Sequence, residues 1–148
     1  MSLQDWLNNG WLTKHTTSPR EIANLLGVAD RDLHDCRARG LSSDWRLNIA
    51  YNAVLQAATA ALASCGYRAT RASHHYRVIQ SLAHTIDAET NVVIKLDHFR
   101  KKRNIGGYEQ AGVISQQEAE EMIELADELR GRIRQWIGNN HPELLREE

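Results

Sequence analysis

The longest run of cations in the chain lies within "HFRKKRNIGGYEQAG", residues 98–112, where Arg100–Arg103 is followed by Asn104, two glycines and a tyrosine. Lysine and arginine are favoured in the last turn of a helix, where they face the negative end of the helix dipole, and Gly106 or Gly107 could end that helix. The same cations could equally bind the phosphates of a nucleic acid. The spacing of the cations relative to the apolar residues before them bears on which interpretation holds.

The spacing favours a partly buried position for one of the arginines. Arg103 lies four residues after Phe99 and seven after Leu96, so it extends an apolar helical stripe to the edge of the interior. Arg100 shares part of that face, whereas the two lysines between them point elsewhere. A guanidinium group can bind a phosphate or a carboxylate through two parallel hydrogen bonds. We therefore predict that the segment ends a helix and also binds phosphate, through Arg100, Lys101, Lys102 and Arg103.

A histidine near this segment would supply a group that exchanges protons near neutral pH. His98 lies roughly 140° from Arg103 around an ideal helix, so the two side chains do not share a face. His74 and His75 open another predicted helix, and packing of the helices could bring either of them close to Arg103. The histidines, cysteines and carboxylates show no metal-site spacing, and we predict no cofactor.

The composition limits the classes of protein to consider. The chain has 148 residues, enough for one domain with a hydrophobic core. Its 18 Lys and Arg against 19 Asp and Glu give a formal net charge of −1, so any nucleic acid must be bound through a local patch. Cys36 and Cys65 fit no redox motif. We see neither a signal peptide nor the roughly 18 apolar residues of a membrane span, and we expect a soluble, cytoplasmic protein without a membrane partner.

Helical periodicity dominates the sequence, and no convincing alternation predicts a strand. The helical segments run from the N-cap Ser18 to Gly40, from Ser42 or Ser43 to Gly66, from about Ser73 to Ile86, from about Ala88 into the cations, and from Ser115, where Glu118 completes a capping box. The second segment is rich in alanine, which indicates close contact at the centre of a bundle.

We therefore predict an all-α fold, an antiparallel up-and-down bundle of four to five helices with a short N-terminal helix. That helix would hold Trp6 and Trp11 against the bundle. A single domain would comprise an N-terminal arm (1–16), the bundle (18–137) and a tail (138–148). The sequence leaves open whether residues 1–12 fold onto their own bundle or onto a neighbour.

Three features together resemble a HEPN domain, a family of helical bundles. They are the alanine-rich helix "DWRLNIAYNAVLQAATAAL" (44–62), the Arg-Asn pair within "RKKRNIGGYE" (100–109), and the Ser-capped acidic helix "SQQEAEEMIELADELRGRI" (115–133). The resemblance covers most of the chain beyond residue 18. It implies a homodimer in which two active-site motifs meet across a two-fold interface. It also implies a metal-independent ribonuclease, or a toxin paired with a small nucleotidyltransferase antitoxin.

The motif of the family is an arginine, a polar residue and, a few residues later, a histidine. Arg103 and Asn104 match the first two positions, but Tyr108 stands about where the histidine would be. A phenol with a pKa of about 10 is a poor general base at pH 7. The resemblance thus implies Arg103, Asn104 and Tyr108 as catalytic candidates in a degenerate motif.

Three hypotheses about function follow from this departure. The first is an RNA- or nucleotide-binding module, possessing the arginines but little or no catalysis, with a toxin–antitoxin or stress-related role. The second is a module that docks a nucleotidyltransferase-type protein partner. The third is an active metal-independent endoribonuclease, in which Tyr108 or a histidine from elsewhere in the chain replaces the missing base.

Overall fold

The computed structural model describes residues 1–106 and 114–146 of the chain, with the backbone alone for residues 104–106. Within these ranges the predicted all-α bundle with a short N-terminal helix is confirmed. None of the described helices is both long and apolar enough to cross a membrane. In chain order the elements are α1 (Leu3–Asn8), β1 (Leu12–Lys14), α2 (Pro19–Asp35), α3 (Ser43–Ser64), β2 (Tyr67–Ala69), α4 (His74–Thr85), α5 (Thr90–Gly106), α6 (Gln116–Asn140) and a 3-10 helix (Pro142–Leu145).

Helix α3 lies at the centre of the bundle and contacts α2, α4, α5 and α6. Its alanines Ala50, Ala57, Ala58 and Ala61 are fully buried. The distance between packed helices depends on the side chains at their contact, so these small residues let the neighbouring helices approach closely. The central position that the alanine-rich stripe predicted is therefore confirmed. Tyr51 is also fully buried in this helix and is the largest side chain on its inner surface.

Three predicted helix starts are confirmed at their capping side chains. The hydroxyl groups of Ser18, Ser42 and Ser115 each accept a hydrogen bond from the backbone N–H three residues later, at 3.1, 3.2 and 3.1 Å. Glu118 completes the predicted capping box. Each bond satisfies a backbone donor that a helix leaves unpaired at its start. Gly66 has a φ of +90°, a conformation that favours glycine, and follows the end of α3 as predicted.

The predicted end of α2 was wrong, because the helix ends at Asp35 rather than at Gly40. The guanidinium of Arg37 donates to the carbonyl of Leu33 at 2.8 Å and also pairs with Asp127 of α6. This tertiary contact holds the chain in a turn directly after the helix. Gly40 does have a left-handed conformation, with a φ of +86°, but it belongs to the connection that leads into α3.

A small antiparallel sheet contradicts the expectation that the chain has no strand. Strands β1 and β2 pair with Leu12 opposite Ala69. Each strand has three residues, which is too short for an alternating pattern to be recognised in the sequence. The sheet fixes the N-terminal arm to its own bundle, where Trp6 is buried and packs edge-on against Trp11 with 6.0 Å between ring centroids.

Helical structure extends into the segment 138–148, which was predicted to be a tail. Helix α6 continues to Asn140, beyond residue 137, at which the bundle was predicted to end. The 3-10 helix then returns to α2 and α6, and Leu144 and Leu145 pack against the core. The partial burial of these two leucines adds apolar contact between the 3-10 helix and the bundle.

Candidate functional site

Helix α5 places Arg103 against a fully buried tyrosine of α3. Leu96 and Phe99 are buried on the inner face of α5, and Arg103 continues this face to a partly buried position, as the spacing predicted. The Cζ atom of Arg103 lies 5.1 Å from the centroid of the Tyr51 ring, which is within the range of a cation–π contact. The last arginine of the cationic run is therefore drawn into the edge of the bundle.

Two polar atoms at this contact have no hydrogen-bond partner among the described residues. They are Nε of Arg103 and the hydroxyl oxygen of Tyr51, and both are buried. Buried polar atoms in folded proteins are nearly always paired, so an exception calls for a water, an ion or a ligand. Burial raises the pKa of Tyr51 to about 12, although the charges of Arg103 and Arg100 act in the opposite direction. The phenol is therefore neutral at pH 7 and can donate a hydrogen bond.

Helix α4 brings a histidine to the same tyrosine. The ring centroids of His75 and Tyr51 are 6.4 Å apart. Burial lowers the pKa of His75, and the charges of Arg103, His74 and Arg100 lower it further. An imidazole with a pKa below the ordinary 6.5 is mainly neutral at pH 7 and can accept a proton. Packing thus answers a question that the sequence left open, because His75 and Arg103 contact the same side chain.

An open cleft of about 580 Å³ lies beside these residues. We call it the cationic cleft, and it is lined by Arg71, Ser73, His74, His75, Tyr76 and Arg100. The Cζ atom of Arg100 lies 5.5 Å from the centroid of the Tyr76 ring, and its Nε donates to Oδ1 of Asp97 at 2.7 Å. A guanidinium has five N–H donors, so this bond leaves others for a ligand. Cations and aromatic rings, which bind phosphates and bases respectively, meet in this cleft.

The sequence did not indicate that Arg71, Tyr76 or Tyr51 would be site residues. A signal for the first two exists in "RASHHYR", residues 71–77, where arginine, histidine and tyrosine are interleaved at the start of α4. Such mixtures of basic and aromatic residues are typical of surfaces that bind single-stranded nucleic acid. Tyr51 carries no comparable signal, because it occupies a regular position of the apolar stripe of α3. Its role becomes visible only when α4 and α5 pack around it.

The two lysines of the cationic run do not join the arginines. Lys101 is exposed, and its Nζ lies 3.4 Å from Oδ2 of Asp97. Lys102 is partly buried and pairs with Glu118 of α6, with 2.8 Å between Nζ and Oε2. Burial raises the pKa of Asp97, but the bonds from Arg100 and Lys101 outweigh that effect and the pKa is lowered overall. Lys102 thus joins α5 to α6, and Lys101 lies on the outer side of α5.

The two other catalytic candidates, Asn104 and Tyr108, lie partly or wholly outside the described residues. The backbone of Asn104 belongs to the last turn of α5, but its side chain lies outside the described residues, as does the whole of Tyr108. Within the described part of the chain, no group of three or more His, Cys, Asp or Glu could hold a metal ion. Cys36 and Cys65 are free thiols whose pKa values are raised by burial, the opposite of what a nucleophilic cysteine requires.

Comparison with known proteins does not assign the chain to a family. No protein-family model matches it, and no curated protein matches it. The resemblance to HEPN domains therefore rests on the residues of the sequence and stays a prediction. What the geometry adds is a cleft lined by Arg71, Arg100 and His75. Beside it, His75 and Arg103 both lie against the buried Tyr51, near the end of α5 that carries the Arg-Asn pair.

Proposed function

We propose that the chain is a HEPN-like module that binds RNA or a nucleotide through the cationic cleft and Arg103. The observation that carries the proposal is the contact between Arg103 and Tyr51, where a buried Nε and a buried hydroxyl have no partner among the described residues. Guanidinium N–H groups lie in one plane and match two oxygens of a phosphate. Both atoms are buried, so a phosphate reaches them only by entering between the two side chains. There it would accept hydrogen bonds from both atoms and remove the cost of leaving them unpaired.

The local charge supports the proposal even though the chain as a whole has a formal net charge of −1. Arg71, Arg100 and Arg103 lie in or beside the cationic cleft, and Asp97 is the carboxylate that pairs with Arg100. Arginines that neutralise phosphates release the counterions bound to them, so the affinity for RNA should fall as the salt concentration rises.

The aromatic residues of the cleft favour single-stranded over double-stranded RNA. His75 and Tyr76 both line the cleft, and the guanidinium of Arg100 lies near the ring of Tyr76. Unpaired bases stack on aromatic rings and on guanidinium planes, whereas a duplex presents mainly its backbone and its shallow minor groove. Little sequence preference is expected from stacking alone.

His75 favours a second candidate function, that of a metal-independent endoribonuclease. Cleavage of RNA through its 2′-hydroxyl needs a base that removes the proton and a cation that stabilises the charge on the phosphate. The lowered pKa of His75 leaves its imidazole mainly neutral, and Arg103 contacts the same tyrosine. The two residues could together supply what the family motif normally supplies through its own histidine.

The resemblance also supports proposals about partners and location. We propose a homodimer, which sedimentation velocity of the purified chain tests directly, and a cytoplasmic location. Docking of a nucleotidyltransferase-type protein partner is the alternative to RNA binding. It predicts negligible affinity for RNA and a loss of partner binding when the cations of α5 are removed. A toxin–antitoxin or stress-related role would follow from either mode of binding.

Gel electrophoresis with labelled single-stranded RNA tests the proposal. We expect wild-type protein to shift the RNA at low salt, and Arg100→Ala and Arg103→Ala each to weaken binding about tenfold or more, because a hydrogen bond to a charged group contributes roughly 1.5–3 kcal/mol. Lys101→Ala is the matched control, since it removes the same charge from the outer side of the same helix. An absence of any shift, or an equal loss in all three variants, would refute binding at this site.

The same samples on a denaturing gel separate binding from catalysis. Intact RNA in the shifted complex supports a binding module. Cleavage products that disappear in both Arg103→Ala and His75→Gln would support the ribonuclease, because each variant removes one of the two required groups. Products that persist in His75→Gln would exclude this histidine as the base.

A further inference from the structure

A second and smaller cavity, of about 200 Å³, lies between the two-stranded sheet and helices α2, α3 and α4. We call it the Glu21 cavity. His74 lines both this cavity and the cationic cleft, so the two spaces share one wall. The Nδ1 atom of His74 donates to the carbonyl of Ala69 at 3.2 Å, which fixes the ring at that position. A ligand with two connected parts could therefore occupy both spaces at once.

The walls of the cavity are partly apolar. Leu25, Leu62 and Val78 contribute side chains to it. Leu25 is only partly buried, whereas Ile22 and Leu26 on the same helix are buried, and it lines this space. The volume would hold about seven waters at roughly 30 Å³ each, which suits a single heterocyclic ring system better than a peptide segment.

A carboxylate supplies the most specific polar group of the cavity. Oε1 of Glu21 accepts hydrogen bonds from Nε2 of His15 at 2.7 Å and from Oγ1 of Thr17 at 2.6 Å. Burial raises the pKa of Glu21, but these hydrogen bonds and the charge of Arg68 outweigh burial, so the pKa is lowered and the group is ionised at pH 7. Among the described residues, both hydrogen bonds end on the same oxygen, which leaves Oε2 as an acceptor for a ligand.

We infer that the Glu21 cavity binds the base of a nucleotide whose phosphate lies in the cationic cleft, with an amino group of the base donating to Oε2 of Glu21. This inference rests on the proposed function and adds to it the part of the ligand that is recognised beyond its phosphate. An ionised carboxylate accepts strongly from the amino groups of adenine, guanine or cytosine. The apolar wall accommodates the face of the ring, and His74 lies where base and phosphate are joined.

Calorimetric titration with adenosine 5′-monophosphate and with ribose 5-phosphate tests the inference, because the two ligands share a phosphate and differ in the base. We expect the nucleotide to bind wild-type protein about tenfold more tightly. Thr59 also lines the cavity. Glu21→Gln removes the charge and Thr59→Leu narrows the cavity. Each should abolish this difference and leave the affinity for ribose 5-phosphate unchanged. Arg100→Ala should weaken both ligands by the same factor, and circular dichroism should show that all three variants fold.

The outcomes separate this inference from the function on which it rests. Equal affinities for the two ligands in wild-type protein, or a preference that survives both Glu21→Gln and Thr59→Leu, would overturn the base site. If RNA is still shifted in the gel experiment, the cationic cleft then stands without the cavity. If neither RNA nor either phosphate ligand binds, both proposals fail together.

Discussion

Replacing Tyr51 by phenylalanine removes one oxygen atom from the centre of the bundle and keeps the ring against Arg103. The side chain is fully buried, and its hydroxyl has no partner among the described residues. An unpaired buried hydroxyl destabilises a fold by about 1–3 kcal/mol, part of which the nearby guanidinium offsets. We expect Tyr51→Phe to raise the free energy of unfolding by up to about 1 kcal/mol, which corresponds to about 4 °C in Tm for a chain of this length. The same change should weaken RNA binding severalfold.

The pH dependence supplies a second test of the same reasoning. Burial raises the pKa of Tyr51 from the ordinary 10.0 to about 12 in the folded chain. Between these values the unfolded tyrosine loses its proton and the folded one keeps it. The contribution of this group to stability is therefore fully present below pH 10 and is lost as the pH rises towards 12. Two pKa units correspond to about 3 kcal/mol, so wild-type protein should lose about that much more than Tyr51→Phe over this range.

Urea unfolding followed by circular dichroism at pH 7, 10 and 12 measures both effects. Tyr67→Phe is a suitable control, because it removes a tyrosine hydroxyl from the partly exposed strand β2. A loss of more than about 1 kcal/mol in Tyr51→Phe at pH 7 would show that the hydroxyl has a partner in the folded protein, and would refute the reasoning. Unchanged RNA affinity would show that the hydroxyl does not contact the phosphate.

Two further predictions concern a carboxylate of the cleft and a helix cap. Asp97→Asn should raise the affinity for RNA about two- to fivefold, because it releases Arg100 and removes a partly exposed negative charge. The gel shift measures this affinity, with Glu124→Gln at an exposed position as the control. Weaker RNA binding by Asp97→Asn would contradict the prediction. Ser115→Ala should lower the free energy of unfolding by about 1 kcal/mol, because it removes the cap of α6. Urea unfolding checks this against Gln117→Ala in the same first turn, and equal midpoints for the two variants would contradict it.

The helices could be predicted from the sequence because their signals are local. The cap at Ser115 and the apolar steps that lead to Arg103 depend on residues within a few positions of each other, and both are confirmed. Strands β1 and β2 pair across more than fifty residues and have three residues each, so no local pattern reports them. The end of α2 depends on the contact between Arg37 and Asp127, which exists only once α6 has packed.

The candidate site was harder to predict, because three helices each contribute one part of it. The position of Arg103 followed from its spacing, whereas His75 was one of two histidines that packing could have brought near. Tyr51 could not be distinguished from a core residue, since a tyrosine on an alanine-rich stripe usually serves to fill space. It becomes a candidate because its hydroxyl has no partner among the described residues, and this depends on which groups α4 and α5 place around it.

Three departures from local rules lie near one another in the molecule. They are an arginine that extends an apolar stripe, Arg103, a buried hydroxyl that has no partner among the described residues, Tyr51, and a leucine that is only partly buried, Leu25. Arg103 and Tyr51 are in contact, His75 contacts Tyr51, and its neighbour His74 lines the cavity that exposes Leu25. Departures that stability does not explain are expected at functional sites. Their continuity from one end of α5 to the Glu21 cavity is therefore an argument for one extended ligand rather than for several unrelated defects.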